Sequence, residues 1–508
     1  MQTAVNIIDI LSFDVLGCIL YVSDVSAVIK FLQTCNALTR GRRALLVIRA
    51  LVRHGAPLHL VHDLLTHPLV GDLGPCILWV VLVTNGVTLE RACGEQDGRC
   101  LSVLLAKVTN IDIVGPRGWT ALMVACQNVH FACTQQLLKN GANVNIRTRE
   151  GHTALMFSCG SGCVQSTQAL VAAGAGINAR ARNGATALSQ SCRHGHDICT
   201  RILLENGAAI LIDAKVGGGQ TALMFAAQRG HYLCARILLG ARASTDETDN
   251  HRSTALMKAA HNGHVWCILA VLEAGAVVDA RNGQGLTALM LTCQKDHDRC
   301  TRALIVAKAN PNETSGDGST ALMAASLNDH VLCAQTLLEN GAVVDAQLLT
   351  GETALMISCQ NGHDRFAHAL LVAGANPCYA KADGWTALTF ACHNGHERCV
   401  SALLRVGAAV NHSSKNGRTA LMQACQNGHD LCARTLLGAG SDTDVVIADG
   451  RTALIMASMN GHEACVRALL GHFADVNKLT TSGDSALTIA RRRGHYRVIW
   501  DLSCHLGF

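Results

Sequence analysis

Proline is almost missing from this chain, with six copies in 508 residues, which excludes a proline-rich linker protein. Charge is thin as well. Only 16% of residues are charged against 49% apolar, a balance that excludes a disordered chain. The formal charge of +5 is small for the length and gives no field able to hold a polyanion, so nucleic acid is not an expected partner. The longest clean apolar run is about a dozen residues around Cys76–Val83, too short for a hydrocarbon core of roughly 30 Å, so no membrane span is expected. The first twenty residues carry no basic segment, and their apolar stretch is broken by Asp9 and Asp14, so no secretory signal is expected. Catalytic signatures are absent too. Gly217-Gly218-Gly219 lacks the lysine of a phosphate loop, and neither H-E-x-x-H nor G-x-S-x-G occurs. With no assembled nucleophile, base and oxyanion donor, the chain reads as non-enzymatic, with no catalytic residue and no cofactor.

Cysteine is abundant, with 24 copies, and its placement decides its meaning. Sixteen fall on two sites of a 33-residue period: Cys126, Cys159, Cys192, Cys293, Cys359, Cys392 and Cys425 on one, and Cys133, Cys199, Cys234, Cys267, Cys300, Cys333, Cys399, Cys432 and Cys465 on the other. Other copies carry Ala227, Ala260, Ser326 and Ser458 at the first site, so the place requires a small side chain and cysteine serves as a small hydrophobe. Thiols used this way indicate a reducing, intracellular compartment, cytoplasm or nucleus.

The period itself is carried by the tripeptide Thr-Ala-Leu, with its threonine at 120, 153, 186, 221, 254, 287, 320, 353, 386, 419 and 452, and a further copy beginning at Ser485. Every step is 33 residues except that from Thr186 to Thr221, which is 35, and the two extra residues are expected in the glycine-rich stretch Val216–Gly219. In the copy from Thr419, the threonine suits a helix N-cap, and Leu421, Ala424 and Cys425 give a short helix one apolar face. Gly428-His429 breaks it, and Cys432, Ala433, Leu436 and Leu437 mark a second helix that Gly440 ends.

This unit resembles the ankyrin repeat, a β-turn followed by two antiparallel helices whose first helix starts T-P-L-H-x-A. The resemblance covers twelve units from about Trp119 onward, with a weaker copy at Val87–Gly118. It departs from the family in having alanine for the proline after each threonine, and in Arg242, Lys308 and Phe473 at the helix-ending glycine position. A residue other than glycine forced to positive φ costs on the order of 1 kcal/mol, so those joints are expected to be weak. Arg491 stands at the small buried site of the last copy and, with Arg492 and Arg493, gives the polar outer surface that a terminal repeat needs.

Before Val87 the period fails. Two helical patterns, Val15, Leu16, Ile19 and Leu20, then Val28, Ile29, Phe31 and Leu32, flank a break at Ser23-Asp24. They resemble an F-box, with Leu11, Asp14, Val15-Leu16, Ile19-Leu20, Asp24 and Cys35 in the family's order but Ser12 for its proline. That resemblance implies docking on a ubiquitin-ligase adaptor through Leu11, Val15, Leu16, Ile19 and Leu20, while the repeats select a substrate. The other reading of the segment is a helical cap over the first repeat.

One recurring pattern invites a metal reading: Cys-x3-His-x2-Cys, as in Cys126/His130/Cys133 and Cys425/His429/Cys432. The cysteines sit on two different helices, the copies at Ala227, Ala260 and Ser326 keep the histidine without the first cysteine, and no fourth ligand is at hand, so no metal site is expected. The histidine recurs at the same position of eleven of the twelve copies, from His130 to His495, and eleven copies cannot be eleven active sites; bonds across the turn and to neighbouring repeats are expected.

The expected architecture is an all-α ankyrin-repeat solenoid, monomeric, that binds other proteins. Its parts are a helical, F-box-like module at 1–45, a linker or decayed repeats at 46–86, a degenerate repeat at 87–119, eleven repeats at 120–484 and a capping repeat at 485–508. In ankyrin stacks the partner lies on the concave face built from loop tips and first-helix ends. Carried onto this sequence, that face comprises Arg117, Trp119, Asp383, Trp385, Asn416 and Arg418 at the tips, and Gln127-Asn128, His261-Asn262, Gln360-Asn361, His393-Asn394 and Gln426-Asn427 at the helix ends. Trp119 and Trp385 are its expected anchors, since binding hot spots favour tryptophan.

Overall fold

The computed structural model describes residues 110–115 and 118–507. The F-box-like segment with Leu11, Val15, Leu16, Ile19 and Leu20, the expected modules at 1–45 and 46–86, and the loop-tip residue Arg117 lie outside the described residues.

From Thr120 onward each copy folds as two short helices, and the reasons recur with the sequence. The threonine of every copy, or Ser485 in the last, adopts an extended backbone, and its hydroxyl accepts from the amide three residues on, as Thr419 does from Met422 at 3.3 Å. That satisfies one of the orphan amides at the helix start, and alanine fills the next position without loss of helical order. The first helices include Ala154–Ser161, Ala187–His194, Ala387–Asn394 and Ala420–Asn427, and the second ones Val164–Ala172, Glu397–Arg405 and Asp430–Gly438. Within each of two compact units, first helices of successive repeats pack on one another as one layer and second helices as another, with leucines such as Leu137, Leu203, Leu337 and Leu436 wholly buried between the layers. The described residues form two compact units, one ending at Asn250 with the repeats of Thr120, Thr153, Thr186 and Thr221, the other beginning at His251 with the remaining eight.

Hairpin tips join adjacent repeats through one backbone bond at most joints: Arg182 donates to the Glu150 carbonyl at 2.9 Å, Lys415 to Asp383 at 2.9 Å and Thr481 to Asp449 at 2.9 Å. Gly217 makes the same bond to Asn183 at 2.8 Å, and Val216 closes the hairpin on Gln220 at 2.9 Å. The glycine-rich tip is therefore in register, and the two extra residues do not lie in Val216–Gly219 as expected. They sit earlier, where Ala208–Leu211 coils into a 3-10 turn, because the bonded hairpin has no room and the loop before it does.

Among the described residues seven other than glycine have positive φ: Val129, Arg242, Arg252, Asp296, Lys308, Asp329 and Phe473. Arg242, Lys308 and Phe473 are the three expected. Val129, Asp296 and Asp329 occupy a second periodic site, the turn between the two helices, where other copies have a glycine such as Gly395 or Gly428.

That turn glycine has a second duty. A Cβ at Gly395 would stand 2.5 Å from Nδ1 of His429 in the next repeat, and one at Gly162 would stand 2.4 Å from Nδ1 of His196. In the space so left, the histidine Nε2–H donates back to a carbonyl of the preceding repeat: His196 to Gly160 at 3.1 Å, His429 to His393 at 3.1 Å, His462 to Gln426 at 3.1 Å. Where the turn residue is Asp296 or Asp329, the following ring is turned over. His330 then donates through Nδ1 to the Cys293 carbonyl at 2.8 Å, and His363 through Nδ1 to Ser326 at 2.8 Å. After Val129 the histidine position holds Cys163 instead. One backbone atom count, the presence of a Cβ at the turn, thus selects the ring nitrogen that carries the proton in the next repeat.

Candidate functional site

The loop tips and the ends of the first helices form one row of side chains in each unit, and within a repeat they meet in pairs eight residues apart. Gln220 Nε2 donates to Gln228 Oε1 at 3.1 Å, Arg418 Nη1 to Gln426 Oε1 at 2.8 Å and Arg492 Nη1 to Asp484 Oδ2 at 3.0 Å. Trp385 and His393 form the aromatic member, with ring centroids 5.3 Å apart and edge-on. Each pair is a rung: the tip residue comes from just before the helix cap and its mate from two turns along the helix, so the cap geometry fixes their separation.

Of the expected site residues, Trp119 is half-buried and packs on Phe157 of the next repeat, with centroids 4.3 Å apart. Trp385 is half-buried too and leans on Phe390 at 4.9 Å, while Lys381 stands over the same Phe390 ring at 5.7 Å and is held by Glu352 at 2.9 Å. Asp383 spends Oδ1 on the Trp385 amide at 3.0 Å, fixing the tip. Gln127, Asn128, His261, Asn262, Gln360, Asn361, Asn394 and Asn416 are exposed on this face, and Gln426 and Asn427 are half-buried. The helix-end asparagines have internal work. Asn394 Nδ2 donates to the Gln360 carbonyl at 3.1 Å, Asn427 to His393 at 2.8 Å and Asn460 to Gln426 at 2.9 Å, each joining the carbonyl that also receives the histidine ring. Phe157, Phe390, Lys381, Arg451, Arg492 and Arg493 also belong to the row: Phe157 and Phe390 share one periodic site with Phe225 and Arg451 repeats Arg418, so their recurrence was a usable signal, whereas Lys381, Arg492 and Arg493 differ from their counterparts in other repeats.

The Cys-x3-His-x2-Cys pattern does not converge on a point. Its histidines turn their rings to carbonyls. Its cysteines interact across repeats instead, as Cys192 with Cys234, Cys293 with Cys333, Cys359 with Cys399 and Cys425 with Cys465. Burial pushes the Cys126 thiol up to about 12 and holds Cys392 well above the ordinary range, so these sulfurs stay protonated. All cysteines among the described residues are thiols, and no cluster of three or more metal-type ligands occurs among those residues. No helix among them is long and apolar enough to cross a membrane.

With the two-helix repeat, its capped threonine and its hairpin ladder in place, the comparison with known families is decisive. The family described as ankyrin repeats, in three copies, matches at residues 89–181, 145–213, 167–249, 209–282, 256–348, 289–381, 355–447 and 432–507. The chain belongs to the ankyrin-repeat family. Among solved structures it is similar to the human ASB11 ankyrin repeat domain, at 27% identity and a TM-score of 0.41, over 44% of this chain and 99% of that one. No curated protein matches. Ankyrin repeats are protein-interaction modules, typically non-enzymatic, and the rungs are a part of this ankyrin protein whose chemistry changes from one repeat to the next.

Proposed function

We propose that this ankyrin-repeat protein is a non-enzymatic scaffold that holds partner proteins on the loop-tip face, in a reducing compartment where its buried thiols persist. The observation that carries the reading is the division of labour at that face. The backbone behind it is joined by a recurring cap bond and, at most joints, by recurring hairpin and histidine bonds, whereas the rungs in front differ: Gln220/Gln228, Trp385/His393, Arg418/Gln426, Asp484/Arg492. Invariant joints with variable side chains suit a surface used for recognition. Trp385, Phe390 and Lys381 form its best-built contact, since an aromatic pair with a cation beside it supplies area at little entropic cost.

The test is affinity purification with mass spectrometry from cells expressing the tagged full chain, comparing wild type with Trp119→Ala plus Trp385→Ala. Specific partners lost in the variant, with its helical circular dichroism unchanged, support the reading. An unchanged partner set, together with loss on substituting exposed second-helix residues such as Arg236 and Leu332, would move the interface to the other layer.

A further inference from the structure

On the loop-tip face of the second unit a pocket of about 210 Å³ opens between the hairpins of the last two repeats. Arg451 lines it from one tip, Thr480, Thr481 and Ser482 from the next, and Arg492 and Arg493 from the end of the helix Ala486–Arg493. Its two carboxylates are already engaged. Asp449 takes the Arg451 Nε–H at 2.6 Å, and Asp484 takes Arg492 Nη1 at 3.0 Å, so the neighbouring guanidinium holds each carboxyl below its ordinary range. Three guanidiniums therefore face two carboxylates. Arg493 makes no ion pair among the described residues, and the Thr481 hydroxyl makes no hydrogen bond among them. The next tip back adds Lys415 and Arg418, and Arg418 is bonded to the neutral Gln426 rather than to an acid. No acidic residue stands at the intervening helix ends, Gln426-Asn427 and Met459-Asn460.

We propose that this pocket seats a carboxylate side chain of an extended acidic peptide, with the Arg493 guanidinium as its counter-charge and the Thr481 hydroxyl as a further donor. The inference rests on the reading of the loop-tip face as the partner-binding face. A carboxylate fits better than a doubly charged phosphate because only one of the three positive charges is left to neutralise, and a guanidinium with a planar carboxylate gives a charge-assisted, two-bonded contact. Lys415 and Arg418 extend the same field along the row, which favours acidic over neutral peptides and makes the attachment salt-sensitive.

The probe is a fluorescein-labelled twelve-residue peptide of alternating Glu and Ser, titrated into the full chain by fluorescence anisotropy at low salt, beside Gln-Ser, Lys-Ser and phosphoserine-Ser counterparts. The Glu peptide is expected to bind about tenfold more tightly than the Gln peptide, the loss of one charge-assisted contact at a partly exposed site. Arg493→Glu should abolish that preference and raise affinity for the Lys peptide, whereas Arg236→Glu, on a second helix of the other unit, should leave all peptides unchanged. Equal binding of the Glu and Gln peptides, indifference to Arg493→Glu, or a phosphoserine peptide favoured over Glu by tenfold or more would overturn the carboxylate seat. A photo-crosslinker on the peptides separates that failure from a wider one. Attachment near Trp385 or Gln426 with no charge preference sinks the pocket and leaves the face standing, while attachment to the second helices sinks both.

Discussion

Substituting Gly395 by alanine tests how one repeat sets the next. The new Cβ would lie 2.5 Å from Nδ1 and 2.7 Å from Cε1 of His429, closer than any tolerated contact, so the ring cannot stay where its Nε2–H donates to the His393 carbonyl at 3.1 Å. The protein already shows the alternative. Behind Asp296 and Asp329 the ring is turned over, and Nδ1–H reaches the carbonyl one residue earlier, at 2.8 Å in both copies. In the variant His429 should therefore leave His393 for the Cys392 carbonyl. One hydrogen bond replaces another at little net change, and the lasting cost is alanine at φ of +80°, so the joint should weaken by about 1 to 2 kcal/mol.

Two measurements check this in the full chain. Side-chain nitrogen NMR reports the neutral tautomer of His429, which should pass from Nε2–H to Nδ1–H. Amide hydrogen exchange reads the opening free energy of the joint, the suitable quantity because a long array of repeats need not unfold in a single step. In a His429→Ala background the ring is gone, and Gly395→Ala should cost only the backbone term of about 1 kcal/mol. A ring that keeps its Nε2 bond in the variant, or a joint weakened by more than about 4 kcal/mol that His429→Ala does not rescue, would refute the reasoning; no combination of the terms above reaches that size.

Other perturbations have equally definite outcomes. Ser458 is wholly buried with no bond for its hydroxyl, whereas Ser326, at the same periodic site, donates to the Met323 carbonyl at 2.8 Å. Ser458→Ala should thus stabilise its repeat by about 1 kcal/mol while Ser326→Ala gives no gain, as read by local hydrogen exchange. Lys308→Gly and Phe473→Gly relieve positive φ at helix ends and should each strengthen the adjoining joint by up to about 1 kcal/mol; a loss at Phe473, which is 88% exposed, would contradict the argument. Burial first, then Lys295, His297 and Lys258, lower the pKa of His261. The unfolded chain then binds the extra proton, so this contribution is intact above the ordinary histidine pKa and is lost as pH falls below about 6.5. The protection factors of amides around His261, corrected for the intrinsic exchange rate at each pH, should fall on acidification, and His261→Gln should flatten that dependence.

The repeat, its caps and its helix layers were legible because they depend on side chains that recur at fixed spacing: the capping threonine, the small residue at the cysteine site, the buried leucines. The position of the two-residue insertion was not. Val216–Gly219 looks loose from its glycines, yet its backbone bonds to Asn183 and Gln220 hold it in register, and backbone bonds carry no sequence mark. The extra positive-φ sites at Val129, Asp296 and Asp329 were hidden for another reason. They stand where other copies carry a glycine such as Gly395 or Gly428, the same mark that pointed to Arg242, Lys308 and Phe473, but that glycine reads as a helix breaker and its positive φ shows only in the folded turn.

Recurrence also misleads at the binding face, and the asparagines show how. Asn394, Asn427 and Asn460 recur at the helix ends and, read by recurrence, belong to the partner-binding face. Their amide groups close the same carbonyls that receive the neighbouring histidines, so their repetition is explained by the joint between repeats. Whatever a partner reads must be what those bonds leave free to vary: the pairs eight residues apart, Trp385 with His393, Arg418 with Gln426, Asp484 with Arg492. The same logic makes Asn427→Ala and Arg418→Ala opposite experiments. The asparagine change removes a donor at 2.8 Å to the His393 carbonyl and should loosen the joint by about 1 kcal/mol, with partner binding weakened only as far as the joint opens. The arginine change cuts a bond between two partly buried surface groups and should leave hydrogen exchange nearly unchanged while weakening capture of an acidic partner. If both variants instead lose partner and joint together, joint and recognition are not separable at this face, and the assignment of recognition to the rungs fails.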